Sequence, residues 1–177
     1  MYTGRFPRLT LGRSRHAPPV DFEDDEGRAI ALRTFGNDPV DDEREALVDM
    51  YLAFDPAERS LGVPPIRESR IRTWQGRILD GYCVLAWDDE RAIGQAVLVE
   101  DEHTNHELAV FIHQDYHHAG IGTHLVEALL AYGKDQGVDN VWLLVEHENE
   151  PARQLYDDVG FTVTDDEDHA VVMALSL

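Results

Sequence analysis

Hydrophobic residues recur along this chain at two spacings, and their order predicts helices interleaved with strands. Ala29-Ile30-Ala31-Leu32-Arg33 is a short apolar run that predicts a first strand. Leu47, Met50, Tyr51 and Phe54 then fall at helical spacing within Asp41 to Phe54, and Asp55-Pro56 ends that helix. Pro64, Pro65 and Ile66 open a second helix, with Ile66, Arg70 and Trp74 along one side and its close near Asp80-Gly81. Three apolar runs follow, Tyr82 to Trp87, Ala92 to Val99 and Glu107 to Ile112. Their connections, Asp88-Asp89-Glu90 and Asp101 to Asn105, have hairpin length, so the three strands are expected to be antiparallel neighbours.

The second half continues the alternation. A helix is predicted from Thr123 to about Gln136, with Leu125, Leu129 and Tyr132 on one stripe and Gly137 as its C-cap. Val141 to Val145 is a compact strand, and Asn149 can cap a further helix through about Val159, with Pro151 tolerated in its first turn. Phe161 to Val163 and Ala170 to Leu175 predict a last hairpin around Asp165-Asp166-Glu167-Asp168. The pattern is that of a mixed α/β domain without internal repeats.

Length and composition limit how that pattern is used. A chain of 177 residues with 43% apolar content supports one core. Residues 1–27 are expected to be an N-terminal arm and linker, because Arg5, Arg8, Arg13 and Arg15 stand in a stretch without acids, followed by Pro18, Pro19 and the cluster Asp21 to Glu26. Residues 28–177 are the expected domain. With no apolar run of about 18 residues and no signal-like leader, neither a membrane span nor export is expected, and a cytoplasmic place follows. Cys83, the lone cysteine, excludes an internal disulfide and reads as a buried structural thiol.

Charge is the unusual feature, with 35 acids against 15 bases for a net −20, and Lys134 is the sole lysine. Acids spread along the whole chain read as adaptation to concentrated salt, where repulsion between carboxylates is screened. Nucleic acid is not an expected partner, since phosphate backbones need a basic face.

Candidate chemistry gathers after the third of the three adjacent strands. A strand, a turn holding Gly120 and Gly122, and a helix from Thr123 form a device for anions. Converging backbone N–H groups and the positive end of the helix dipole meet there, and glycines let a pyrophosphate approach closely. A tight strand-to-helix turn without a ligand is the bland alternative. His113, His117, His118 and His124 invite a metal reading, but the i, i+4 pair His113 and His117 spans a loop and no cysteine is near, so no metal is expected.

His117-His118-Ala119-Gly120-Ile121-Gly122 resembles the Q/R-x-x-G-x-G/A signature of the GNAT acetyltransferases, with His117 at the Gln/Arg position. Asn149, Ala152, Leu155, Tyr156, Gly160 and Phe161 resemble the N-x-x-A-x-x-L-Y-x-x-x-G-F pattern those proteins carry one strand later. The resemblance covers roughly residues 28 to 177. It implies the GNAT fold, a twisted and mostly antiparallel central sheet flanked by helices, and acetyl-CoA as co-substrate. It further implies cofactor contacts from Val110, Phe111 and Ile112 on the strand, from His117, His118, Ala119, Gly120, Ile121, Gly122 and Thr123 at the turn, and from Asn149. The histidine at the signature position implies weaker or pH-sensitive affinity for CoA.

The same resemblance places a general base at Glu107 and the donor of the thiolate proton at Tyr156. Read as residues alone, Glu107 is equally an exposed strand carboxylate and Tyr156 a helix aromatic packed on the core. The segment Tyr51 to Arg59, followed by the Glu107 strand, is similar to acetyltransferase domains that modify lysines on acyl-CoA synthetases and other proteins. The acceptor implied is thus an amine, on a protein lysine, a protein N-terminus or a small molecule, and a homodimer is compatible. The acidic composition resembles the haloarchaeal type. A GNAT-fold module that binds acyl-CoA as a sensor or assembly domain without turnover is the alternative reading.

Overall fold

The computed structural model describes residues 2–8, 16–58 and 64–177. Eight strands form one sheet: β1 (Val20–Glu23), β2 (Ala29–Thr34), β3 (Tyr82–Asp88), β4 (Arg91–Glu100), β5 (His106–Ile112), β6 (Asn140–Glu146), β7 (Thr162–Asp166) and β8 (Ala170–Ser176). Four α-helices are α1 (Val40–Leu52), α2 (Glu68–Ile78), α3 (Ile121–Asp135) and α4 (Glu150–Asp158). The strand order is β1-β2-β3-β4-β5-β6-β8-β7. Every neighbouring pair is antiparallel except β5 and β6.

The two faces carry different covers. On one, α3 packs Leu125, Leu129 and Leu130 onto a core that includes Ile30, Val84, Leu98, Val141 and Leu143. On the other, α1 and α2 bring Leu47, Tyr51 and Ile71 against Cys83, Leu85 and Val97. Cys83 lies in that second core, and burial pushes its thiol up to about 12, so it stays protonated and inert. Helix α3 ends as expected: Gly137 takes φ 88°, and Val138 N–H donates to the Gly133 carbonyl at 2.9 Å, closing a Schellman turn.

Two expectations need correction. Residues 20–23, assigned to a linker, form the edge strand β1, whose Val20 and Phe22 pack against the main core. Helix α2 starts at Glu68, not at the prolines, and buries Ile71 and Gln75 in place of the predicted Ile66 and Arg70 stripe. The N-cap Arg67 is still extended (φ −90°, ψ 135°), and Ile66 is 66% exposed. Residues 9–15 of the expected arm and residues 59–63, among them Arg59 of the Tyr51 to Arg59 segment, lie outside the described residues.

Candidate active site

The parallel pair β5 and β6 opens the molecule. Its register covers only His106↔Val141 and Glu107↔Trp142, after which β5 continues beside β4 and β6 continues beside β8. The two strands thus part like a V. Their backbone polar groups on the inner edges need partners, and a ligand can supply them.

A cleft of about 720 Å³ fills the V, a size suited to a cofactor-sized molecule. Each of the thirteen residues singled out from the sequence lines it: Glu107, Val110, Phe111, Ile112, the run from His117 to Thr123, Asn149 and Tyr156. Phe54, Tyr116, Glu146 and Leu155 line it too, and sequence reasoning passed over them as functional candidates. Phe54 stood in the sequence only as the last position of the first helical stripe.

At the base of the cleft the turn into α3 is shaped by two left-handed residues, His118 (φ 58°) and Gly120 (φ 77°), with Gly120 as the N-cap. This alternation turns successive N–H groups to one side, which with the helix dipole makes a seat for an anion. Gly120 needs its freedom for that φ. Gly122 has a packing reason that the sequence did not show: a Cβ there would lie 2.6 Å from Leu155 Cδ1 and 3.2 Å from Ile112 Cδ1, so its absence lets α3 pack against α4 and β5.

His117 lines the cleft with its Nε2 2.9 Å from the Ile112 carbonyl, to which it donates, so that ring nitrogen is turned back onto the strand. His113 is buried, with Nε2 3.1 Å from the Arg91 guanidinium and Nδ1 accepting from Asp115 N–H at 3.3 Å. Desolvation and then Arg91 lower its pKa, so it is neutral. His124 stacks on Phe22 at 4.1 Å. Among the described residues no group of three or more His, Cys, Asp or Glu side chains is arranged for a metal.

The hairpin of β1 and β2 braces this turn. The buried Asp24 carboxylate accepts from the N–H groups of Glu26 (3.0 Å) and Arg28 (2.8 Å) and from Arg28 Nε (2.7 Å). Burial alone would raise its pKa, but these donors, Arg28 foremost, outweigh it and hold the carboxyl below its usual range. Arg28 in turn donates to the Asp115 carbonyl (3.2 Å) and lies 4.3 Å over the Tyr116 ring, while Asp25 N–H donates to the Ala119 carbonyl (3.1 Å). A charged turn thereby fixes both ends of the anion seat. From sequence it passed for a linker, although Val20 and Phe22 before it and Ile30 and Leu32 after it alternate as hairpin strands do.

On α4, the Asn149 side-chain oxygen accepts from Ala152 N–H at 3.2 Å and caps the helix. Tyr156 is 7% exposed and packs edge-on to Phe161 at 5.8 Å, with its hydroxyl bonded to no described residue. Desolvation raises its pKa well above that of an ordinary phenol, so the hydroxyl keeps its proton. Glu107 stands where the strands part, with its pKa raised, first by desolvation and also by the Asp101 carboxylate. A raised pKa makes it the stronger proton acceptor once ionised.

Comparison with known proteins bears on this arrangement. The acetyltransferase (GNAT) family profile matches residues 44–161. Among characterised proteins, the ribosomal protein bS18-alanine N-acetyltransferase of Escherichia coli K12 is 35% identical over 96 residues, 49% of this chain and 62% of its own length. N-alpha-acetyltransferase 30 of Schizosaccharomyces pombe is 31% identical over 85 residues, 45% of this chain and 57% of its own. The match thus spans less than two thirds of either relative. Among solved structures, the GNAT domain of S. lividans PAT superposes with a TM-score of 0.75 at 18% identity, covering 89% of this chain and 96% of that domain. The yncA protein of Salmonella typhimurium, solved with its cofactor acetyl-CoA, superposes with a TM-score of 0.62 at 17% identity, covering 84% and 94%. These two likenesses concern the fold.

Proposed function

This chain belongs to the acetyltransferase (GNAT) family, and from that premise we propose that it moves the acetyl group of acetyl-CoA to a primary amine, with the α-amino group of a protein as the favoured acceptor. The observation that carries the transfer is the convergence of an anion seat, a proton acceptor and a protonated phenol on one cleft. The choice of acceptor rests on the two sequence relatives, whose names specify a ribosomal-protein alanine and an N-alpha group.

In this reading the pyrophosphate lies on the backbone N–H groups of residues 118 to 122, and the acetylated arm runs up the edge of β5. A net charge of −20 repels such a ligand at long range, so preorganised short-range donors must outweigh it. Glu107 accepts a proton from the incoming ammonium, leaving the nitrogen lone pair to attack the thioester carbonyl carbon. The C–N bond forms, the C–S bond breaks, and the electron pair leaves with sulfur. Tyr156 delivers its hydroxyl proton to that sulfur, the acylated nitrogen gives up its second proton, which restores the phenol through solvent, and the products are an amide and CoA. A thiol ordinarily titrates at about 8.5, below this phenol, so the transfer to sulfur is uphill by itself and is driven by the loss of that nitrogen proton.

Titration with acetyl-CoA tests the cofactor half, and no binding heat in molar salt would sink the proposal. The pH profile tests Glu107. Only its ionised form accepts a proton, and its pKa is raised, so kcat/KM should fall as pH drops through a value above the ordinary carboxylate range. In Glu107→Gln that acid limb should vanish, and the rate should fall roughly 10² to 10⁴-fold. An unchanged acid limb in the variant would remove Glu107 from the mechanism. The dispersed acids predict a separate effect: the melting temperature should rise from dilute buffer to molar salt as repulsion is screened. A melting temperature indifferent to salt would show that the acidic surface has another origin.

A further inference from the structure

Register fixes the face from which an acceptor must reach Glu107. Glu107 lies beside Trp142, and residues in register project to the same side of a sheet. Ala109 and Phe111, two and four residues on, belong to the core under α1 and α2. Val141, Leu143 and Val145 belong to the opposite core under α3, which leaves Trp142 and Leu144 on the Glu107 face. The anion seat at the start of α3 belongs to the other side. An amine therefore approaches over Trp142 and Leu144, at the seam where the cover of α1 and α2 stops.

That track already has an occupant. Tyr2 is 7% exposed and, with Phe6, closes an apolar cluster of Trp142, Leu144, Val172 and Ala174. The Tyr2 ring lies 6.2 Å from Trp142 and 5.4 Å from Phe6. It folds over Gly4, where a Cβ would come within 2.2 Å of the hydroxyl oxygen, and that hydroxyl donates to the Arg5 carbonyl at 3.0 Å. Beyond the turn, Ser176 N–H donates to the Pro7 carbonyl at 2.7 Å, and Arg8 bridges to Ser176 in parallel. Leu144, beneath this cover, also lines the cleft, and Trp142 Nε1 donates to Asp101 Oδ2 at 3.1 Å, beside Glu107.

We propose that Tyr2–Arg8 is a displaceable strap that occupies the acceptor track and sets which amines reach Glu107. The proposal rests on the acetyltransferase reading and specifies how its acceptor site is restricted. The strap has the composition of a short peptide with two exposed arginines, Arg5 and Arg8, laid on an acidic body. Among the described residues it is fastened by two rings and one bridge to the sheet, not by a ladder, so a peptide acceptor can exchange with it. An extended peptide must displace it before its chain can lie on Trp142. A small amine needs only the gap at Glu107.

The test compares the full chain with its Tyr2→Ser/Phe6→Ser variant, using an alanine-initiated tetrapeptide and ethylamine as acceptors. A strap closed about nine-tenths of the time lowers apparent peptide affinity about tenfold, so the variant should show that fall in peptide KM. KM for ethylamine and affinity for acetyl-CoA should stay within about twofold, because neither depends on the strap's population. A peptide KM unchanged or raised in the variant would overturn the proposal. Hydrogen exchange supplies a readout that needs no turnover: a CoA–tetrapeptide conjugate bound to the wild-type chain should speed exchange of the Ser176 amide, which Pro7 protects. Unchanged exchange with the conjugate bound would also overturn it. Lack of turnover with both acceptors would count against the acetyltransferase reading, and the exchange result would still decide the fate of the strap.

Discussion

Tyr156→Phe is expected to lower kcat by roughly 10² to 10⁴-fold while leaving acetyl-CoA affinity within about twofold. The substitution keeps the ring, its edge contact with Phe161 and its place in the main core. What it removes is a hydroxyl that burial keeps protonated and that no described residue holds. A donor used only as the C–S bond breaks affects the transition state and not the ground state, which is why the loss should appear in kcat. Were Tyr156 a packing residue only, this conservative change would alter stability slightly and kcat hardly at all. The comparison needs steady-state kinetics and acetyl-CoA titration under one salt condition, with chemistry as the limiting step. A kcat within about twofold of wild type would assign the proton to water or to another side chain.

Gly120→Glu is expected to weaken acetyl-CoA by more than about 100-fold, a loss of at least ~2.7 kcal/mol. Three effects add. At φ 77° a non-glycine residue is strained by about 1 to 2 kcal/mol, and the N–H groups that converge there shift with it. A Cβ at Gly120 already stands 3.2 Å from an Asp25 carboxylate oxygen, so the new side chain is turned into a negatively charged place. Its own carboxylate then competes with the pyrophosphate for the helix N-terminus. Gly120→Ala carries the strain without the charge and should lose about tenfold or less. If the glutamate variant, folded by circular dichroism, bound acetyl-CoA like wild type, the anion seat would have to lie elsewhere.

The strands β3, β4 and β5 could be read from sequence because each holds an apolar run bounded by turn residues, and the burial of β3 and β4 on both faces made those two runs continuous. Strand β1 could not be read in the same way. Its Val20 and Phe22 are half-buried at a sheet edge and alternate with Asp21 and Glu23, which in so acidic a chain look like more solvated surface. The Asp24 turn was hidden for the same reason. Only the fold shows that its carboxylate is buried and holds Arg28 against the anion seat.

The candidate site was legible as a set of residue types, and the structure brings that whole set to one cleft. Its geometry was not legible. A two-residue parallel register followed by divergence leaves no local mark on either strand, because β5 and β6 each keep an ordinary antiparallel neighbour. Rotamers are equally silent in a sequence, so nothing in it foretells the bond from His117 Nε2 to the Ile112 carbonyl. The reason for Gly122 was likewise set by a partner on another helix, Leu155, which no spacing rule brings near.

The measurement that bears most directly on the account is thiol release from acetyl-CoA in molar salt, followed with an alanine-initiated peptide, a lysine peptide with a blocked N-terminus, and ethylamine, with mass spectrometry of each acceptor. The account predicts CoA release that depends on an amine and equals the acetyl groups gained, highest per bound acceptor for the α-amino peptide and lost in Glu107→Gln and Tyr156→Phe. Tight binding of acetyl-CoA with no acceptor-dependent release from the wild-type chain would contradict it and leave a cofactor-binding module without turnover.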